Sequence, residues 1–189
     1  MTATASQPKT KILQRFTAVD LVTLAALGGI YRVLWYVWHA LAFLYPFNLI
    51  LNTLFFCLIG VAAATIVRKV GAMFLFNVAA MAINFFVQGA SLIEVAMCLT
   101  WTLAAELYVY LRLRSGADPF SNFRDMFIVG ILLSLVWVIS MWYVLFPFVF
   151  LVEISAALTL AAAAAGFAGG VAGGAMGYGL GSKVKGLIG

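Results

Sequence analysis

The chain is built from continuous apolar runs, each long enough to cross a lipid bilayer. About 20 apolar residues in an α-helix span the roughly 30 Å hydrocarbon core, and runs without alternation favour helices over membrane strands. Hydrophobic residues make up 66% of the chain and charged residues 9%, whereas a soluble domain is about half apolar and a quarter charged. We therefore predict an all-α integral membrane protein.

The lengths of these runs predict six transmembrane helices. They cover residues 17–38, 47–67, 70–88, 91–113, 123–144 and 149–182. The sixth is long, and whether it is broken stays open. Residues 1–16 and 183–189 are predicted to be short tails around one transmembrane domain, 17–182, and the first tail lacks the pattern of a cleaved signal peptide.

Basic residues predict the orientation of these helices. Ten of the eleven Lys and Arg residues lie in the two tails or flank the 2–3 and 4–5 connections, while the other three connections contain none. Positively charged loops stay on the cytoplasmic side, so both termini are expected to be cytoplasmic. This placement also explains the net charge of +5 without a nucleic-acid partner. The exception is Arg32, inside the first helix.

One face of the first predicted helix combines a cation with rings. Arg32, Trp35, Tyr36 and His39 are spaced i, i+3, i+4 and i+7, so they share that face. Two interpretations stay open. The face either forms an interfacial aromatic belt with Arg32 extended toward the headgroups, or it lines a ligand site.

Predicted helices 3 and 4 form a hairpin whose interior carries polar side chains at membrane depth. These are Asn77, Asn84, Gln88, Glu94 and Glu106. Such residues mark functional sites by default, although amides also bond neighbouring helices for around 1 kcal/mol each. Glu106 is the deepest acid, and an ion pair with Arg112 is the structural alternative to a ligand contact.

The sixth predicted helix carries small residues every four positions on two adjacent lines. One line is Ala165, Gly169, Gly173, Gly177 and Gly181, and the other is Gly166, Gly170 and Gly174. Small residues let helix backbones approach closely. One line serves the internal bundle, and the second favours an external helix partner, with internal packing alone as the alternative. Ala25 and Gly29 form a shorter line on the first helix.

Several chemistries have no support in the sequence. A phosphate-binding P-loop, a serine nucleophile elbow and a zinc-protease helix are absent from it. Cys57 and Cys98 lie in apolar runs and are expected to be free thiols. Glu94 and Glu106 are about 18 Å apart along one helix, too far to serve one reacting centre. We expect no catalytic activity, no cofactor and no metal.

The hairpin resembles a known transporter family. Arg68-Lys69-x-Gly71-Ala72 opens the third helix and Ala105-Glu106 lies in the fourth. Together with six helices and cytoplasmic termini, these residues resemble the substrate-specific (S) components of energy-coupling factor vitamin transporters, in particular the YkoE-type thiamine/hydroxymethylpyrimidine family. The chain differs at Asn77 and Asn84, where such relatives carry acids, and at Arg32.

The resemblance implies a high-affinity substrate-binding subunit of an ATP-driven importer in the plasma membrane of a prokaryote. Its partners would be a vitamin-like molecule, a transmembrane coupling subunit and two cytoplasmic ATPases. Small residues on the first helix are the docking surface in that family, which corresponds here to Ala25 and Gly29. Alternatives are an S component for another vitamin-like or anionic molecule, and a non-catalytic membrane assembly subunit.

The candidate substrate site consists of the polar and aromatic residues identified above. A cationic thiazolium would suit Glu106 as acceptor and Trp35, Tyr36 or Trp101 as ring walls. Arg32 instead favours an anionic group unless it pairs with Glu94 or Glu153. The full predicted set is Arg32, Trp35, Tyr36, His39, Asn77, Asn84, Gln88, Glu94, Trp101, Glu106 and Glu153.

Overall fold

The computed structural model describes residues 14–40, 47–149 and 155–188, and within them every regular element is a helix. Five helical segments are long and apolar enough to cross a membrane: Ala18–Val37, Ile50–Val67, Leu92–Arg114, Phe123–Leu145 and Ala156–Leu187. The helix over Ala72–Gln88 is apolar but shorter, at 17 residues. The prediction of an all-α, multi-pass membrane protein is confirmed at this level.

The helices follow one another with short connections. They are α1 (Ala18–Ala40), α2 (Phe47–Val67), α3 (Ala72–Gln88), α4 (Leu92–Leu99), α5 (Leu103–Arg114), α6 (Phe123–Ile139) and α7 (Ala156–Ile188). A 3₁₀ turn, Thr100–Thr102, joins α4 to α5, and a π-helix, Ser140–Val149, continues α6. The last helix, α7, begins at Ala156 and not at residue 149, and it is unbroken from there to Ile188, which includes residues 183–188 of the predicted C-terminal tail. Residues 150–154 of the predicted helix lie outside the described residues.

Ion pairs bring the charged connections to one end of the bundle, which we call the basic end. Lys69 Nζ lies 2.5 Å from Asp20 Oδ2 at the start of α1. Arg68 pairs with Asp118 in the α5–α6 connection. These contacts gather the start of α1 and the α2–α3 and α5–α6 connections at the same end.

Both glycine lines of α7 face helices of this chain. A Cβ atom on Gly173 would lie 2.4 Å from the Leu54 carbonyl oxygen of α2. On the other line, a Cβ on Gly170 would lie 2.1 Å from Ser134 Oγ of α6. Approaches this close require residues without a Cβ. The expectation of an external partner for the second line is therefore wrong, since that line packs against α6.

Candidate functional site

Arg32 is buried between α1 and α3. Its side chain is 3% exposed, its Nε donates a 3.0 Å hydrogen bond to the Ala80 carbonyl oxygen, and its Nη2 lies 3.4 Å from Met81 Sδ. Gly28, one turn earlier on α1, makes this possible, because a Cβ there would lie 2.8 Å from the Phe76 carbonyl oxygen. The close approach of the two backbones lets Arg32 reach a main-chain acceptor on α3.

Aromatic rings complete the surroundings of this guanidinium. Its carbon lies 4.9 Å from the centroid of the Trp35 ring and 5.9 Å from that of Tyr31. Among the described residues Arg32 forms no ion pair, so the predicted pairing with Glu94 is not formed. Glu153, the other predicted partner, lies outside the described residues. Dipoles and ring faces stabilise this charge only in part.

Asn84 and Glu94 join α3 to α4 at the end of the hairpin far from the basic end. Asn84 Nδ2 donates to Glu94 Oε1 at 3.3 Å, and Ser91 Oγ accepts from the Glu94 N–H at 3.1 Å. Asn84 is 3% exposed, and its Oδ1 has no hydrogen-bond partner in the described structure. One acceptor of this amide is therefore left over in the interior.

Asn77 bonds the break between α4 and α5. Its Nδ2 donates to the Cys98 carbonyl oxygen at 2.8 Å, just before the 3₁₀ turn. A change from α to 3₁₀ geometry shifts backbone bonds from four residues back to three, so a carbonyl at the junction can accept from an outside donor. The Asn77 Oδ1 is buried and without a partner in the described ranges.

Trp101, in that turn, lies in an aromatic cluster. Its ring centroid is 5.7 Å from that of Phe56 and 6.2 Å from that of Trp137. The indole Nε1 and the Tyr36 hydroxyl are likewise buried with no hydrogen-bond partner among the residues described. Buried polar groups are nearly always bonded, so these atoms mark places where a water or ligand would bind.

Glu106 holds the other end of the hairpin together. Its carboxylate accepts hydrogen bonds from the N–H groups of Gly71 at 2.7 Å, Met73 at 2.8 Å and Phe74 at 3.1 Å. The first N–H groups of a helix have no partner within it and favour a negative charge. Glu106 thus caps α3. The substrate contact that the sequence predicted for Glu106 would have to compete with these three backbone donors.

The alternative prediction for Glu106, an ion pair with Arg112, is wrong. Arg112 donates to both oxygens of Asp125 on α6, from Nε and Nη2, each at 3.0 Å. Tyr108 adds a third bond to that carboxylate at 2.6 Å. Arg112 therefore joins α5 to α6, and the Glu106 carboxylate bonds to the start of α3 instead.

The remaining predicted residues are more peripheral. Gln88 is exposed at the end of α3, and Trp35 and Tyr36 are half-buried. The side chain of His39 is not among those described. Ala25 is exposed, and a Cβ on the half-buried Gly29 would meet, among the residues described, only Ile83 Cδ1, at 3.9 Å. Cys57 and Cys98 are free, as predicted, and the described residues contain no group of three metal-binding side chains.

The structure adds residues to the site that the sequence did not single out. Met81 and the Ala80 carbonyl are acceptors for Arg32, and Gly28 brings α1 close enough for them to be reached. A backbone carbonyl has no side-chain signature. The Gly28-Gly29 pair was the one sequence signal for this contact, because small residues indicate close helix packing.

The comparisons with known proteins give no relative from which to transfer a function. No family model, curated protein or solved structure matches the chain.

Proposed function

We propose that this protein is the substrate-binding subunit of a membrane importer and that its substrate carries an anionic group, which binds beside Arg32. The observation that carries this proposal is a guanidinium that is 3% exposed and has no carboxylate partner among the described residues. Ionisable groups at membrane depth are costly and mark substrate pathways. A carboxylate or phosphate would supply the missing counter-charge in a geometry that suits the guanidinium fork.

The unpaired polar atoms support a ligand with further hydrogen-bonding groups. Asn77 Oδ1, Asn84 Oδ1, Tyr36 Oη and Trp101 Nε1 all belong to residues chosen from sequence as substrate contacts, and all lack partners in the described structure. Two are acceptors, one is a donor and the hydroxyl is both. A substrate that combines an anionic group with polar ring or amide atoms would satisfy this set.

The same contacts make thiamine a less suitable substrate than an anionic molecule. The carboxylate intended for the thiazolium is that of Glu106, and it already accepts three backbone hydrogen bonds. Arg32 would repel a cation placed against the Trp35 face that it already occupies. We therefore favour, among the S-component alternatives, a vitamin-like molecule that carries a carboxylate or phosphate.

The wider assembly is also a proposal. As an energy-coupling factor S component, with both termini cytoplasmic, the protein would act in a prokaryotic plasma membrane with a coupling subunit and two ATPases. The exposed Ala25 and the open space around Gly29 support a docking surface on α1. Their small side chains would allow another helix to approach α1 closely.

Calorimetric titration of the purified protein with a vitamin panel tests this function. The panel should contain thiamine, hydroxymethylpyrimidine and several carboxylate-bearing vitamins. Tight binding of one anionic member and none of thiamine is the expected result. Arg114→Gln removes an exposed charge at the end of α5, so it is the matched control for Arg32→Gln and should bind as the parent does. Binding by no member of the panel would reject substrate capture.

A further inference from the structure

A cavity lined by charged and hydroxyl side chains lies at the basic end, between the end of α2, the α5–α6 connection and the end of α7. Its volume is about 330 Å³. Ligand pockets in proteins start at about 300 Å³, so this cavity has room for a small polar group and part of what it is attached to. It lies in a different part of the bundle from Arg32, and a ligand bound in it would not depend on the proposed import function.

Two cations line this cavity. Arg68 Nη2 donates to Asp118 and, at 2.6 Å, to Ser121 Oγ. The Nε and Nη1 groups of Arg68 donate to none of the described residues. Lys185 on α7 also lines the cavity and forms neither an ion pair nor a hydrogen bond within the described structure. One carboxylate therefore faces two cations, and the excess charge is positive.

Hydroxyl groups accompany these cations. Ser121 and Ser182 both line the cavity. The Tyr178 hydroxyl donates to the Ser121 carbonyl oxygen at 2.9 Å, which holds a 3₁₀ turn in the α5–α6 connection, Pro119–Ser121, against α7. The cavity is open beside Gly186, where an added Cβ would have no neighbour within 4 Å among the described residues. Lysine, arginine and serine donors around an open space suit an oxyanion.

The backbone at Arg68 gives an independent reason to assign a role to its side chain. Its φ angle is +55°, and its N–H donates to the Ala64 carbonyl oxygen at 2.8 Å, at the end of α2. This left-handed position after a helix usually holds glycine, because a Cβ is strained there. Arginine is strained at this position, but its guanidinium lines the cavity, which a glycine could not provide.

We propose that this cavity binds a phosphate group, carried either by an anionic phospholipid headgroup or by a soluble phosphate. Basic pockets between transmembrane helices, close to the membrane surface, bind lipid headgroups in this way. Lys185 provides an unpaired charge and Arg68 provides spare N–H donors. The two sources share this recognition chemistry, and the experiment separates them.

The experiment uses the full chain in phosphatidylcholine nanodiscs with and without phosphatidylglycerol. Native mass spectrometry of the released protein counts retained phosphatidylglycerol, and calorimetry of the phosphatidylcholine sample measures inorganic phosphate. Lys185→Gln should weaken binding about fivefold, the effect expected for one cation near a membrane surface. Lys183→Gln is the matched control, because it removes the same charge from a residue that is exposed and lies outside the cavity lining.

A second pair of variants tests the cavity without changing charge. Gly186→Leu would fill the open side of the cavity, while Gly179→Leu adds the same bulk to α7 at a place where a Cβ meets none of the described residues within 4 Å. Only Gly186→Leu should reduce binding. Retention of phosphatidylglycerol with this pattern identifies a headgroup site, and the same pattern with inorganic phosphate identifies a soluble anion. Equal losses in Lys185→Gln and Lys183→Gln, or no binding of either probe, would overturn the proposal.

Discussion

The Glu106 carboxylate on α5 accepts a 2.7 Å hydrogen bond from the backbone N–H of Gly71, at the start of α3. Gly71 has a φ of +92°, which turns the chain into the helix and presents its N–H to that carboxylate. Gly71-Ala72 and Ala105-Glu106 were grouped by resemblance alone, and they are in contact. The pair joins the two arms of the hairpin at its basic end.

Removal of this cap should destabilise the protein. Glu106→Ala leaves three backbone N–H groups without a partner at a site that is 8% exposed, so we expect a loss of about 3 kcal/mol. Glu106→Gln, which retains an acceptor oxygen, should lose less. Reversible unfolding in mixed detergent measures both. A Glu106→Ala protein of unchanged stability that fails to bind substrate would return Glu106 to the ligand site.

Replacing glycine by alanine should change the stability of the protein in opposite directions at two positions of α7. Gly173→Ala would place a Cβ 2.4 Å from the Leu54 carbonyl oxygen and should destabilise the fold by about 2 kcal/mol. The Cβ of Gly179→Ala meets none of the described residues within 4 Å, so this change should stabilise the helix by up to about 1 kcal/mol. The same unfolding assay compares them. Equal stability of the two variants would contradict the close packing of Gly173 against α2.

The ion pair between Arg112 and Asp125 should respond asymmetrically to truncation. The Asp125 side chain is 4% exposed and that of Arg112 is 38% exposed. Arg112→Ala leaves a buried carboxylate with Tyr108 as its one remaining side-chain donor among the described residues and should be the more destabilising change. Asp125→Ala leaves an arginine that can turn to water and should lower the midpoint of unfolding by less, as measured in the same unfolding assay. Equal losses would contradict the burial of Asp125 in the native state.

Asn77 should matter for stability and for ligand selection in separable ways. Asn77→Ala removes the bond to the Cys98 carbonyl and should cost about 1 kcal/mol. Asn77→Asp keeps an oxygen at the unpaired position but adds a negative charge, so it should weaken an anionic substrate more than a neutral one. Calorimetry on the two variants compares the effects. Equal affinities in parent and Asn77→Asp would place this residue outside the substrate site.

The sequence predicted the bounds of several helices closely, although α3, at 17 residues, is shorter than the predicted run 70–88. Predicted bounds such as 47–67 coincide with α2 (Phe47–Val67), since charged or loop-forming residues end the run on both sides. The last helix was predicted less well. Its predicted end at residue 182 was set by Lys183, but lysine is a good helix former, so α7 continues to Ile188.

The contacts inside the site needed the three-dimensional structure. Asn77, Asn84, Glu94 and Glu106 were identified from sequence because hydrocarbon excludes such groups. Their partners include the Cys98 carbonyl and the Gly71 N–H, which are main-chain atoms with no pattern of their own. For the same reason, the sequence suggested carboxylate partners for Arg32, whereas its acceptors among the described residues are the Ala80 carbonyl oxygen and Met81 Sδ.

Arg32 is central to the proposed function because it would select an anionic group, and one binding measurement tests this role most directly. The best ligand from the vitamin panel is titrated as its carboxylate and as its amide analogue, into the parent protein and into Arg32→Gln. We predict that the parent prefers the carboxylate by at least about tenfold, as for a charge-assisted hydrogen bond, and that Arg32→Gln loses this preference. An equal preference in both proteins would contradict the assignment.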